Sequence, residues 1–179
     1  VNTVNNIRAL HRPRGIPRQV LARAALNAAT LAEAISILTT EPRAGAFHHT
    51  LGQMGDSRLF SVEATGTGCS VMPLREVFAH ANHLIHPQLD AVEQVITDSS
   101  RSRQQRLNAW LETQSHLDGA AALGILSDQH DPALPIYRLS PQDPDEENTL
   151  ATAVFTLSTS DIKWQIFTHD RQKPALESH

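Results

Sequence analysis

This chain of 179 residues has a single cysteine, Cys69, which excludes an internal disulfide and any zinc site built from several thiolates. Excess basic charge is also missing: 15 Lys and Arg stand against 19 Asp and Glu, for a net charge of -4, so neither nucleic acid nor an anionic membrane surface is an expected partner. No apolar run is long enough to span a bilayer. No serine sits in a Gly-x-Ser-x-Gly elbow, and no phosphate-binding glycine loop is present. The chain opens on Val1 rather than methionine, without the regions of a signal peptide, and Val1-Asn2-Thr3-Val4 reads as a strand already under way. The expectation is a fragment, or one chain of a processed protein, with upstream sequence missing. Cytoplasm is the default compartment.

What is present is enough for one core, with 40% hydrophobic residues. One domain is expected over 1–170, followed by a polar tail over 171–179. After the opening strand, the prolines and glycine of Arg12-Pro13-Arg14-Gly15-Ile16-Pro17 predict a loop, with Pro17 opening a helix that runs to about Asn27. Thr30-Leu31-Ala32-Glu33 is a capping-box pattern for a second helix over about 31–38. Ala46–Leu51 and Arg58–Glu63 flank a turn containing Gly55-Asp56, a hairpin signature. Further strands are expected over Cys69–Leu74 and through His80 and Asn82, and helices over about 99–113, capped by Ser99 and Ser100, and over 117–127. Pro141–Asn148 is acidic and proline-broken and reads as a solvated loop. A final hairpin over 149–159 and 162–168 turns at Ser160-Asp161. Segregated runs of strands and helices point to an α+β fold, helices layered on antiparallel sheet.

The chemistry concentrates in Phe78-Ala79-His80-Ala81-Asn82-His83-Leu84-Ile85-His86. On a strand, alternation sends His80 and Asn82 to one face and Ala81 and His83 to the other. A carboxamide that turns its N–H toward an incoming negative charge is the physical form of an oxyanion hole. On chemistry alone the same residues more readily close a strand-to-loop turn. Three other arrangements compete. His48, His49, His80, His83 and His86 supply enough imidazoles for a metal, but His80 and His83 leave opposite faces and no acidic residue joins them, so no metal or other cofactor is expected. Cys69 has no base beside it in sequence, which favours a packed thiol over a nucleophile. Arg103 and Arg106 share a helix face that could grip a carboxylate or phosphate, although such runs are usually solvated surface. Arg23 lies near the apolar stripe of the first helix and, if buried, needs an anionic or carbonyl partner.

Asn2, Gly15-Ile16-Pro17 with Leu21 and Arg23, Ala46-Phe47, the hairpin ending in Glu63, His80-Ala81-Asn82-His83, and Ser99-Ser100 with Arg103 and Arg106 together resemble the acyl-coenzyme A:6-aminopenicillanate acyltransferase family of self-processing, cysteine-type N-terminal nucleophile hydrolases. The most specific piece is the family's His-Thr-Asn-His signature, with Ala81 in place of threonine. The resemblance implies a four-layer αββα fold, incomplete here because its first strands would lie upstream. It implies a cysteine exposed by self-cleavage, acylated by an amide or thioester, with Asn82 as the catalytic oxyanion donor and Asn2, Arg23, His80 and His83 binding substrate or supporting the site. No part of this chain matches the nucleophilic cysteine or the catalytic aspartate. The implied partners are a small-molecule amide or acyl-CoA-type substrate and an upstream segment or chain carrying the nucleophile. The alternative is a non-catalytic binding or scaffold domain that retains the fold.

Overall fold

The structure, a computed structural model, describes residues 1–9, 12, 14–114, 117–139 and 146–178. Its contacts divide the chain into two compact units, Val1–Ile96 and Thr97–His179, and each is described by itself.

In the first unit β1 (Asn2–Ile7), β2 (Ala46–Gly52), β3 (Leu59–Ala64) and β4 (Cys69–Leu74) form one antiparallel sheet in that order. Gly55, at φ 79°, makes the β2–β3 turn expected of it. Helices α1 (Arg18–Ala25) and α2 (Leu31–Thr39) cover one face. Leu21 and Ala25 of α1 and Leu31, Ala34 and Leu38 of α2 pack with Leu51 and Val62 of the sheet, burial that supplies most of the cohesion of such a layer. The cap forms with a variation: Thr30 accepts from the Glu33 amide at 3.1 Å, and Glu33 reaches past Thr30 to accept from the Ala29 amide at 2.7 Å. Buried Arg43 donates to the carbonyls of Thr39 and Thr40, acceptors at the end of α2 that a helix leaves open, and to that of Thr65 just after β3. Gly15 permits the close approach of the following loop, since a side chain there meets the Arg43 carbonyl carbon at 2.2 Å. Of that loop, Pro13 lies outside the described residues.

The opposite face of the sheet is polar. Asn5, His48, Glu63 and Ser70 are directly opposed in register across all four strands, so they project from one side. Residues 78–92 lie over them, with Leu84 and Leu89 packing on Ile7, Ala9 and Ala46. Here the structure corrects an expectation: residues 78–86 are not a strand. Their backbone groups bond to side chains rather than to a neighbouring strand. Asn5 donates to the carbonyls of His80 and Ala81, Glu63 accepts from the amides of Ile85 and His86, and Gln94 pairs with both backbone groups of Leu84. A segment so satisfied crosses the sheet instead of extending it.

The second unit holds α3 (Asp98–Glu112), α4 (Gly119–Ile125) and a sheet of β5 (Thr152–Leu157), β6 (Ile162–Phe167) and β7 (Leu176–Glu177) in that order. Thr97, not Ser99 or Ser100, caps α3, accepting from the Ser100 amide at 3.2 Å, while both serines are buried in its first turn. Arg106 pairs with Asp128. Residues 171–178, expected as a polar tail, contribute β7 and Arg171, which stacks 4.5 Å from the Tyr137 ring centroid and donates to Ser127 and Thr152. Positions 141–145 of the acidic loop lie outside the described residues. The α+β class holds: antiparallel sheets with segregated helices.

Candidate functional site

The polar face and the segment covering it form a single hydrogen-bonded assembly. Glu63 is at its centre, with 0% exposure. One carboxylate oxygen accepts from His80 Nε2 and the Ile85 amide, both at 2.7 Å, and the other from the His86 amide at 3.1 Å. Burial pushes this carboxyl up, but the bond from His80 and those from the two amides outweigh it and hold the group below the usual glutamate range. His80 Nδ1 faces the Ala81 carbonyl at 2.9 Å. Both ring nitrogens therefore face oxygen atoms, one of the Glu63 carboxylate and one of the Ala81 carbonyl.

A directed chain of protons follows beside this pair. Ser70 donates to Gln88 Oε1 at 3.1 Å, so its oxygen is left to accept from His86 Nδ1 at 3.0 Å. Burial lowers His86 below the ordinary histidine value, and the neutral ring then accepts from Ser61 at Nε2, 2.8 Å away. Ser61 in turn accepts from His48 Nε2 at 2.9 Å. His48 Nδ1 is left as a bare lone pair, and it is a buried atom without a hydrogen-bond partner among the described residues. His48 stacks on His80 with ring centroids 3.5 Å apart and planes 2° apart. Burial first, then the neighbouring histidines, drives His48 down to about 2. The neutral His48 ring thus stacks on the ring that is bonded to the Glu63 carboxylate.

Asn82 lies where this assembly reaches the edge of the sheet. It is half-buried, and its Nδ2 donates to the Asn6 carbonyl at 3.1 Å. Val1 and Gly52 exchange both backbone bonds, so in antiparallel alternation Thr3, Asn5 and Ile7 bond to β2 while the backbone groups of Asn2, Val4 and Asn6 face outward. Among the described residues no strand pairs with that outer edge. Beside it is a cleft of about 680 Å³ lined by Asn6, Ile7, Arg8, Arg18 and Gln94 among others. Arg18 is held on its wall, 4.3 Å from the Phe47 ring centroid and bonded to the Ala46 carbonyl at 3.1 Å.

The residues expected at a site divide into groups. His80, Asn82 and His83 come together on the 78–86 segment, His83 being buried. Asn2 lies on the helix side, donating to the Ala22 carbonyl at 3.3 Å and bonded to His49 at 3.1 Å. Burial takes His49 down to about 4. Arg23 is exposed and bonds to Asn27 in the turn just after its helix, so the burial that would have required an anionic partner does not occur. Cys69 is exposed, not packed. It pairs across the sheet with Ala64, which pairs with Phe47 and then Asn6, three strand spacings or about 14 Å from the β1 edge. Among the described residues no cluster of His, Cys, Asp or Glu is arranged to hold a metal ion, and no helix is long and apolar enough to cross a membrane. Sequence reasoning missed Asn5, Ser61, Glu63, Ser70 and His86 as an assembly. The available signal was the spacing of Ser61 and Glu63, two apart in an otherwise apolar strand.

Comparison with known proteins agrees with the signature around Asn82. No curated protein matches the chain. A family model described as acyl-coenzyme A:6-aminopenicillanic acid acyl-transferase matches residues 1–172, a span that includes both the polar sheet face and the segment lying over it. By that match the chain belongs to the acyl-coenzyme A:6-aminopenicillanic acid acyl-transferase family, whose description points to acyl transfer onto or from a small molecule.

Proposed function

We propose that this chain is the part of a cysteine-dependent acyltransferase or amide hydrolase that supplies the oxyanion donor, Asn82, and that the nucleophilic cysteine belongs to polypeptide preceding Val1, whose strand lies along the outer edge of β1 within a four-layer αββα fold. The observation that carries this reading is the carboxamide of Asn82 on that open edge, held at the Asn6 carbonyl beside the cleft. The position of Cys69 supports it too. The chain's one thiol is on the far strand of the sheet, beyond reach of a carbonyl that Asn82 touches.

In this reading the thiolate attacks an amide or thioester carbonyl, the carbonyl oxygen becomes an oxyanion, and an N–H of Asn82 donates to it. Collapse expels the amine or thiol and leaves a thioester on the cysteine, which an amine or water then attacks. The α-amine of an N-terminal cysteine, with an ordinary pKa of about 7.7 to 8.0, takes and returns the proton. Arg18 and the apolar wall around Ile7 give the cleft a charged and an uncharged side for a small substrate.

The test is single-turnover acylation of the full polypeptide by a chain-length series of acyl p-nitroanilides. Asn82→Ala should lower the rate about 10² to 10³-fold, the usual loss for one oxyanion donor, while Cys69→Ser leaves it unchanged. Wild-type rates in Asn82→Ala would remove Asn82 from the chemistry. Absence of an acyl adduct on any residue of the full polypeptide would favour a binding or scaffold domain instead.

A further inference from the structure

We propose that Glu63 is a positioning residue for acyl transfer: from β3 it fixes the 80–86 segment so that the carboxamide of Asn82 is presented at the β1 edge. This rests on the reading of Asn82 as oxyanion donor and adds a residue that never meets substrate. Its three bonds bracket Asn82 in the chain, one to the side chain of His80 before it and two to the amides of Ile85 and His86 after it. From the β1 side Asn5 donates to the carbonyls of His80 and Ala81 at 2.7 and 2.8 Å. Residues 80, 81, 85 and 86 are thus anchored, and Asn82 projects from the short span between them. A carboxylate suits this task because three donors converge on its two oxygens, and no neutral side chain of that size offers only acceptors. Oxyanion stabilisation depends steeply on placement, and a shift of about 1 Å can cost about a hundredfold in rate.

Glu63→Gln keeps the shape but turns one oxygen into an NH2, which then confronts a donor it cannot accept from. The expected result in the full polypeptide, with the fastest acyl p-nitroanilide of the series, is a kcat lower by about ten- to a hundredfold with KM changed less than about threefold. A purely structural role would also lower kcat through loss of folded enzyme, so the deciding measurement is a double-mutant cycle on correctly folded, active-site-titrated protein. If Glu63 acts through Asn82, adding Glu63→Gln to Asn82→Ala changes kcat by less than about twofold. If the two losses multiply, Glu63 acts independently and the proposal is overturned while the role of Asn82 stands. If Asn82→Ala alone retains wild-type kcat, the underlying reading has failed and this inference goes with it. Should Glu63→Gln lose its cooperative thermal transition, Glu63→Asp, which keeps the carboxylate but draws it back by one methylene, replaces it in the cycle with the same two outcomes.

Discussion

His48, His49 and His86 are neutral in the folded chain because burial makes their charged forms costly. The sign of the resulting pH dependence follows directly. An unfolded histidine takes up a proton below about 6.5, whereas the folded values lie lower, so the unfolded state binds more protons as the medium is acidified. Stability is therefore complete above about pH 6.5 and is lost as pH falls, until about 4 for His49 and about 2 for His48. Each ring held neutral contributes a slope of about 1.4 kcal/mol per pH unit in that window. Glu63 acts in the same direction at lower pH: its depressed carboxyl stabilises the fold above about 4.5, and the contribution is lost as pH falls through the folded value. Urea unfolding at pH 7.5, 6 and 5 should show a midpoint that declines steadily. A midpoint constant across that range contradicts the neutral-histidine assembly.

Among the elements, α2 is the one whose local and tertiary determinants separate most cleanly. Its capping box is visible in four consecutive residues, and Thr30→Ala should cost about 1 kcal/mol by removing the acceptor for the Glu33 amide. Leu38, 1% exposed between helix and sheet, should cost about 2 to 5 kcal/mol as Leu38→Ala, because the cavity adds to the lost transfer energy. Denaturant unfolding of both variants checks the ranking, and a larger loss at Thr30 than at Leu38 would mean that the layer is not held by its apolar contacts. The 78–86 segment shows the limit of periodicity. Its alternation of small apolar and polar residues is that of a strand, yet Asn5, Glu63 and Gln94, remote in sequence, take its backbone bonds. No local pattern reveals a partner that arrives from three different places in the chain.

For the molecule as a whole, the open edge of β1 makes a prediction that needs no substrate. In this chain the amides of Thr3, Asn5 and Ile7 bond to β2, so they should exchange with solvent slowly, and those of Val4 and Asn6 at least about tenfold faster. In a polypeptide where a further strand lies along that edge, Val4 and Asn6 should become protected as well. Fast exchange there in the full polypeptide would remove the proposed seat of the nucleophile. An edge that no strand pairs is also a template for association, so concentration-dependent self-association should accompany the unprotected state.

Sequence alone determined what depends on neighbours along the chain: the cap at Thr30, the glycine turn at Gly55, the pairing of Ala46–Leu51 with Arg58–Glu63, the final hairpin, and a signature around Asn82 specific enough to indicate the family. Those features are set within a few residues by backbone sterics and short hydrogen bonds. Tertiary structure decided that the sheet has a polar buried face, that Glu63 rather than any residue beside Asn82 holds the 80–86 segment, that Cys69 is exposed on the far strand and Arg23 on the surface, and that His48 is buried deeply enough to be held neutral. Each of these depends on which side chains meet after strands distant in sequence are brought into register, and burial then fixes where the protons reside.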